Sequence, residues 1–241
     1  MAKVQLSACI ITQGLPDLLR KCLEDMSFAD EIIVVDGGPD AATKAVAESH
    51  PRSVYIPHAW PANYSTQRNV YLRAARGAWI LTVDTDERLD SGFAEGIDEW
   101  TRRDDVDGFC FPRCWRVNEK EFVLSENHYP DFNMRLFRNR PALRYLDGPE
   151  NAVHHLLLGV EKPLVLLQSP IILHDCFLYE NKTKREDKIR LYDRISSNQS
   201  GSRYKDFYLF EDSPHEICSV AQRPTISTLP WMTALRPFLE Q

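Results

Sequence analysis

Asp84, Asp86, Glu87 and Asp90 crowd together directly after the apolar run Ala78–Val83. Carboxylates this close resist ionising unless a cation or hydrogen-bond donors offset their repulsion. Two kinds of chemistry fit. A solvated strand-to-helix turn would use Asp90 or Ser91 as a helix cap. A site for a hard divalent cation would draw oxygen ligands from the carboxylates and from substrate phosphates. Asp84-Thr85-Asp86 is a D-x-D triplet, and in an extended backbone positions two apart face the same side, so both carboxylates could address one ligand. The triplet alone is a weak motif, and the surrounding elements have to decide.

Those elements alternate. "LSACIIT" reads as a buried strand, and "LPDLLRKCLEDM" then sets Leu15, Leu18, Leu19, Cys22, Leu23 and Met26 at helical spacing. "EIIVVD" is a second buried strand, followed by a short helix that Asp40 can cap; "SVYI" is a third. Ser65 is expected to cap a helix through "TQRNVYLRAAR", with Gly77 as its C-terminal stop, before the fourth strand "AWILTV". Repeated strand–helix alternation predicts a mainly parallel sheet with helices on both faces, which binds ligands at the carboxyl ends of its strands. Three strands end there on polar groups: Thr12 and Gln13, Asp36 and Gly37, Asp84 and Asp86.

Beyond Asp105 the rhythm changes to strands separated by turns. In "FNMRLFRN", alternation puts Phe132, Met134 and Leu136 on one face and Asn133, Arg135 and Phe137 on the other. "YENKTKREDKIRLYDRISSN" is a highly charged helix with Ile189, Tyr192 and Ile195 as a packing stripe. The last forty residues, rich in proline, read as an extended or partly disordered wrap. The expected organisation is a single domain over 1–241, with residues 1–105 as one half, 106–198 as a second and 199–241 as a tail.

Composition narrows the class. With 43% hydrophobic and 27% charged residues the 241-residue chain is a soluble globular protein, and its net charge of −6 argues against nonspecific nucleic-acid binding. The six cysteines form no C-x-x-C pair and no zinc spacing, which predicts reduced thiols and a cytoplasmic setting. Cys9, Cys22 and Cys110 fall in apolar segments and are expected to be buried. The N-terminus is a poor signal peptide, and no run reaches the ~18 apolar residues of a membrane span. In "ISTLPWMTALRPFLEQ", Pro230 and Pro237 bracket too short a segment for an amphipathic anchor, so a packed tail is expected, with room left for peripheral association at the inner membrane face.

The blocks "ACIITQG", "EIIVVDGGPDAAT", "STQRNVYLRAARGAWILTVDTDERL", "FNMRLFRN", "AVHH" and "IILHD" together resemble the family-2 glycosyltransferases of the GT-A fold, particularly bacterial members that build lipopolysaccharide and other surface glycans. The resemblance implies an α/β fold: a GT-A-like, Rossmann-type, mostly parallel sheet flanked by helices, with a mixed-strand acceptor-side half and a C-terminal helical extension. It also implies a hexosyltransferase-like enzyme that uses a UDP-, GDP- or dTDP-sugar, with Mn²⁺ or Mg²⁺, to glycosylate a glycan or glycolipid hydroxyl with inversion. Carried over by residue, Thr12 and Gln13 line the nucleotide pocket, with Gly37 beside them, and Asp36 hydrogen-bonds the base or ribose. Arg68 and Asn69 flank the nucleotide and hold the D-x-D loop; Asp84 faces the ribose and sugar; Asp86 coordinates the metal. His174 reaches the metal or diphosphate from the other side, and Arg135 meets phosphate or acceptor. Lys184 and Arg185 are candidates to close over the diphosphate, and Arg138 is expected at the surface.

The proton-accepting base departs from the pattern. Where similar sequences carry V-H-E, this chain has Val153-His154-His155, so His155 stands at the glutamate position. The base is then His155, or is moved to Glu150 or Asp131, or is lost. The same fold class also serves sugar nucleotidyltransferases, which open on a Gly-rich basic loop, whereas "TQGLPDLLRK" offers only Gly14. A catalytically degenerate nucleotide- or glycan-binding module is the further alternative.

Overall fold

The computed structural model describes residues 4–153, 156–195, 201–212 and 214–240, without the side chains of 201–203. The first half alternates as its periodicity requires: β1 (Leu6–Thr12), α1 (Pro16–Asp25), β2 (Glu31–Asp36), α2 (Ala41–Ser49), β3 (Ser53–Pro57), α3 (Tyr64–Ala74) and β4 (Trp79–Asp84). β5 (Glu87–Leu89), α4 (Gly92–Arg102), β6 (Gly108–Phe111), β7 (Arg113–Trp115), β8 (Glu121–Leu124), β9 (Asn133–Arg138), β10 (Arg144–Tyr145), β11 (Leu157–Leu158), β12 (Leu164–Leu167) and β13 (Ile172–His174) follow. The chain continues as α5 (Cys176–Tyr179), α6 (Lys182–Ile195), α7 (Gly201–Tyr208), β14 (Glu216–Ser219) and β15 (Leu239–Glu240), with short 3₁₀ turns between the later elements.

An eight-stranded sheet in the order β15-β12-β6-β9-β4-β1-β2-β3 organises the fold. β1, β2, β3 and β4 pair in parallel, and β9 runs antiparallel between β4 and β6. Alternation along the strands sends side chains to opposite faces. Ala8, Ile10, Ile32, Val34, Leu81 and Val83 pack under α1, α2 and α4, while Cys9, Ile33, Val35 and Ile80 meet Tyr71 and Leu72 of α3. Both faces of the sheet are therefore covered, as its near-continuous apolar strands demand. Each fully buried aliphatic side chain contributes about 1.5–3 kcal/mol through removal from water.

Three local expectations need correction. Asn63, not Ser65, caps α3, accepting a hydrogen bond from the Thr66 N–H at 3.0 Å; Ser65 is buried as the second residue of the helix and donates to the Asn151 carbonyl. α3 ends at Ala74, and Gly77 is required instead by crowding, since a Cβ there would lie 2.6 Å from the Ser7 nitrogen. The tail is an integral part of the fold: β15 pairs with β12 at the edge of the main sheet, β14 pairs with β8, and Ile226, Leu229 and Met232 are buried against Cys114, Phe122 and Tyr129. Asp40 caps α2 through the Ala42 and Thr43 N–H groups, and Ile189 and Tyr192 are buried in the α6–α7 contact, as the sequence leads one to expect. All six cysteines are free; Cys9 and Cys22 are buried, whereas Cys110 is only partly so. No helix among the described residues is long and apolar enough to cross a membrane.

Candidate active site

β1, β2 and β4 end at one edge of the sheet, on Thr12, Asp36 and Asp84. Because β9 runs the other way, its beginning meets this edge, and the preceding Asp131 arrives beside the end of β4. A small second sheet, β5-β13-β7, lies just beyond and brings in His174 and Arg113. α6 and α7 form the facing wall. Between them opens a cleft of about 1420 Å³ whose lining includes Thr12, Gln13, Arg68, Asp84, Asp86, Arg113, Asp131, Arg135, His174 and Lys188.

The carboxylates after β4 are partnered by the protein's own cations. Asp84 accepts from Arg68 on α3 at 2.8 Å and from Arg135 on β9 at 3.1 Å. Glu87 is fully buried and accepts from the Asp84 N–H at 3.0 Å, from Arg113 at 3.0 Å and from Arg135. Asp131 receives Arg113 Nε at 2.9 Å and the Trp115 indole N–H at 2.9 Å. Together these contacts make an alternating row, Arg68–Asp84–Arg135–Glu87–Arg113–Asp131, whose members line the cleft except for Glu87, buried behind it. Burial disfavours the charged guanidinium of Arg113, yet Asp131 and Glu87 outweigh it and hold the proton more firmly than usual. Burial likewise pushes the Asp131 carboxyl up, but Arg113 and Trp115 carry it below the ordinary carboxylate range.

Asp86 stands apart from this row. It occupies the turn between β4 and β5, so its approach to the cleft comes from the turn and not from strand alternation. Its Oδ2 lies 3.3 Å from His174 Nε2, and its backbone carbonyl accepts from the Asp175 N–H at 2.8 Å. Burial would raise its pKa; His174 first, then Lys188, overcome that and leave it well below the usual range. The His174 ring meets Trp115 edge-on at 4.1 Å, and its Nδ1 has no hydrogen-bond partner among the described residues; neither does the buried Thr12 hydroxyl.

The bulge on β9 explains Arg135. Leu136 pairs with Phe109 and Met134 with Cys110, so Arg135 is the extra residue. Simple alternation along "FNMRLF" therefore fails: Leu136 packs beneath the sheet with Val83 while Met134 packs on the other side with Phe137. The extra residue swings its guanidinium between Asp84 and Glu87.

Other expected residues stand off the cleft lining. Asp36 is fully buried, with its carboxylate accepting from the Gly38 N–H at 3.0 Å and the Tyr55 hydroxyl at 2.9 Å. Gly37 ties the strand ends together, donating to the Thr12 carbonyl and accepting from Trp60 N–H. Asn69 makes paired 2.8 Å hydrogen bonds with the Tyr145 backbone, which fixes α3 to β10. Glu150 is exposed on a 3₁₀ turn, and His155, with His154, lies outside the described residues. Arg185 is buried against Phe177 and Glu211, away from the diphosphate role, while Lys184 does line the cleft. Arg138 lies over the Trp79 ring at 4.6 Å. Sequence reasoning passed over Arg113, Trp115 and Lys188; an Arg and a Trp two apart in a short strand, as in "RCW", were the available signal.

Residues 7–157 match the profile of "Glycosyl transferase family 2". The chain is 28% identical over 202 residues to the lipopolysaccharide core biosynthesis glycosyltransferase LpsC of Rhizobium meliloti, covering 75% of this chain and 69% of that protein. Among solved structures it is similar to S. aureus TarS residues 1–349 (TM-score 0.51, 12% identity, 85% of this chain and 69% of that one). It is also similar to the mannosyltransferase PcManGT of Pyrobaculum calidifontis, solved with GDP-Man and Mn²⁺ (TM-score 0.52, 12% identity, 81% and 64%). At such identities the likeness speaks for the fold, a large mostly parallel sheet flanked by helices.

Proposed function

The chain belongs to glycosyl transferase family 2, and we propose that its cleft transfers a sugar from a UDP-, GDP- or dTDP-sugar to a hydroxyl of a glycan or glycolipid, with inversion and with a divalent cation. The observation that carries the reading is the joint lining of one cleft by the unpartnered Thr12 hydroxyl, the Asp84 and Asp86 carboxylates, His174 and Asp131. In this reading residues 1–105 serve the donor and 106–198 the acceptor, with 199–241 completing the acceptor wall. The likeness to LpsC supports a surface-glycan acceptor.

The donor set at Asp86 fits Mn²⁺ or Mg²⁺. Asp86 Oδ2 and His174 Nε2 are 3.3 Å apart, and neighbouring ligands of one ion lie about this far apart when each bond is roughly 2.1 Å. Among the described residues no third His, Cys, Asp or Glu joins them, so Asp86 and His174 are the side chains that would hold the ion. When bound, the ion supplies Lewis-acid stabilisation of the departing diphosphate. Arg68 and Arg135 hold Asp84 towards the donor. Thr12 and Gln13 meet the nucleotide, and Asp36, Gly37 and Asn69 hold the loops that frame it.

Asp131 takes the role of proton acceptor. It lines the cleft beside Trp115 and His174, whereas Glu150 does not. As the acceptor oxygen bonds to the sugar carbon, the bond from that carbon to the diphosphate oxygen breaks, the hydroxyl proton passes to Asp131, and nucleoside diphosphate leaves. A thermal-shift panel of UDP, GDP, CDP and dTDP, with and without Mn²⁺, tests the donor site. One nucleotide should raise Tm in a metal-dependent way, by about 2.7 kcal/mol of stabilisation at 100 times Kd, and Asp86→Asn should cut the metal-dependent shift by about half or more. No shift with any nucleotide would overturn the reading.

A further inference from the structure

Glu87 is fully buried and does not itself line the cleft, yet every donor that reaches it belongs to a residue that does. Its Oε2 accepts the Asp84 N–H, which closes the turn that presents Asp84 and Asp86. Its Oε1 accepts from both Arg135 and Arg113. Arg135 reaches on to Asp84, and Arg113 reaches on to Asp131. On the main chain, Glu87 of β5 stands opposite His174 of β13 in the antiparallel register. Four strands, β4, β5, β7 and β9, are thereby tied to one carboxylate. A buried ion cluster is a poor way to gain stability, because desolvation offsets its attraction, and apolar packing would serve as well. It is an effective way to fix geometry, since a guanidinium shared between two carboxylates has few orientations open to it.

We propose that Glu87 is a positioning residue with two arms, one setting Asp84 through Arg135 and the turn N–H, the other setting Asp131 through Arg113, so that the donor and acceptor sides of the cleft share one reference point. The proposal rests on the reading of this cleft as the transfer site. Neutral Gln at 87 would present an amide N–H₂ to donors only, whichever way it turned, so at least one arm must let go. In either orientation the negative charge facing Arg113 is gone, so Arg113 would be held less by residue 87 and more by Asp131, and the hydrogen bond from Trp115 to Asp131 would change although Glu87 makes none to Trp115.

The test pairs a ligand-free readout with a binding one. The ¹H–¹⁵N signal of the Trp115 indole, assigned with Trp115→Phe, should move in Glu87→Gln and in Arg113→Gln. Calorimetric titration with UDP, GDP and dTDP in the presence of Mn²⁺, and turnover of the matching nucleotide-sugar, should separate the arms. Glu87→Gln lowers nucleotide affinity about 10-fold or more and turnover about 100-fold. Arg113→Gln lowers turnover by a similar factor, with nucleotide affinity within about twofold. If Glu87→Gln does not fold, Glu87→Asp, one methylene shorter with its charge kept, replaces it and should show the same pattern more weakly. An unmoved Trp115 signal in the folded Glu87 variant, or equal loss of nucleotide affinity in both variants, overturns the proposal. Wild-type protein that binds none of the three nucleotides defeats the donor reading instead, and the Trp115 signal still decides the case of Glu87.

Discussion

On the proposed donor edge, Thr12, Arg68 and Asp84 come from elements that follow one another along the first half of the chain, each placed by a parallel strand or the helix packed on it. Around the rest of the cleft, Arg113, Asp131, His174 and Lys188 come from β7, the segment before β9, β13 and α6, which are scattered over the second half: β7 and β13 pair with β5 in the small sheet, β9 belongs to the main sheet, and α6 to neither. The first region repeats one structural device three times. The second assembles its groups through a bulge, an antiparallel strand and a helix that packs through a separate apolar cluster. Binding geometry can rest on a rigid repeated edge, whereas the chemistry of the acceptor depends on contacts with no local rule behind them.

Removing the proposed base should give the largest effect and would break the comparison most directly. Asp131→Asn is expected to lower turnover by about 10²–10⁴-fold while nucleotide binding, measured by calorimetry, changes little. Equal damage to both quantities would mean that the wall also shapes the donor edge. Asp86→Asn should act in the opposite sense. A neutral amide is a poorer ligand for a hard cation, so Mn²⁺-dependent nucleotide affinity should fall at least about tenfold, and the metal-free affinity should stay close to that of wild type.

The same contrast explains what could be read before the structure. Continuous apolar runs bounded by polar strand ends made β1, β2, β4 and the cluster Asp84–Asp86 legible, because strand periodicity and the carboxyl-end rule act locally. Arg135 was a candidate, but its direction was not legible: the bulge that aims it depends on the register of β6 against β9, which alternation along one strand cannot reveal. Asp36 took its expected role from the family resemblance, and the hydrogen bonds its carboxylate accepts from Tyr55 and the Gly38 N–H could not be read from the sequence, because β2–β3 register sets them. A packed tail was expected, but what it packs on was not legible, because its partners, Cys114, Phe122 and Tyr129, lie about a hundred residues away and no periodic pattern marks such a contact.

A third measurement separates damage to the scaffold from damage to the site. Asp107, at the start of β6 and 2% exposed, accepts from Arg140 and from the Glu161 and Lys162 N–H groups. Burial opposes its charge, but these donors carry its pKa down to about 2. A carboxyl depressed in the folded state adds stability above its unfolded pKa of ~3.9. That stability is lost as pH falls through about 2. Asp107→Asn should cost about 2 kcal/mol at neutral pH in urea unfolding, with the gap to wild type closing between roughly pH 4 and 2. A pH-independent gap would assign the loss to packing instead.

The smallest expected effect sharpens the contrast within the acceptor half itself. Glu150 lies next to Asn151, whose side-chain amide it accepts at 3.0 Å, and it is exposed on a turn that does not line the cleft. Its neighbour matters more: the Asn151 carbonyl receives Ser65 of α3, and the Ala152 carbonyl receives the Tyr64 N–H, so this turn is fastened to the donor-side helix by its backbone. Side-chain charge at position 150 has no part in that fastening. Glu150→Gln should therefore leave both turnover and nucleotide affinity within about twofold of wild type, and Asn151 can keep its partner because a Gln carbonyl still accepts. A loss approaching that of Asp131→Asn would move the base to the turn, and the acceptor chemistry would then belong to a segment held by the donor edge and not by the opposite wall.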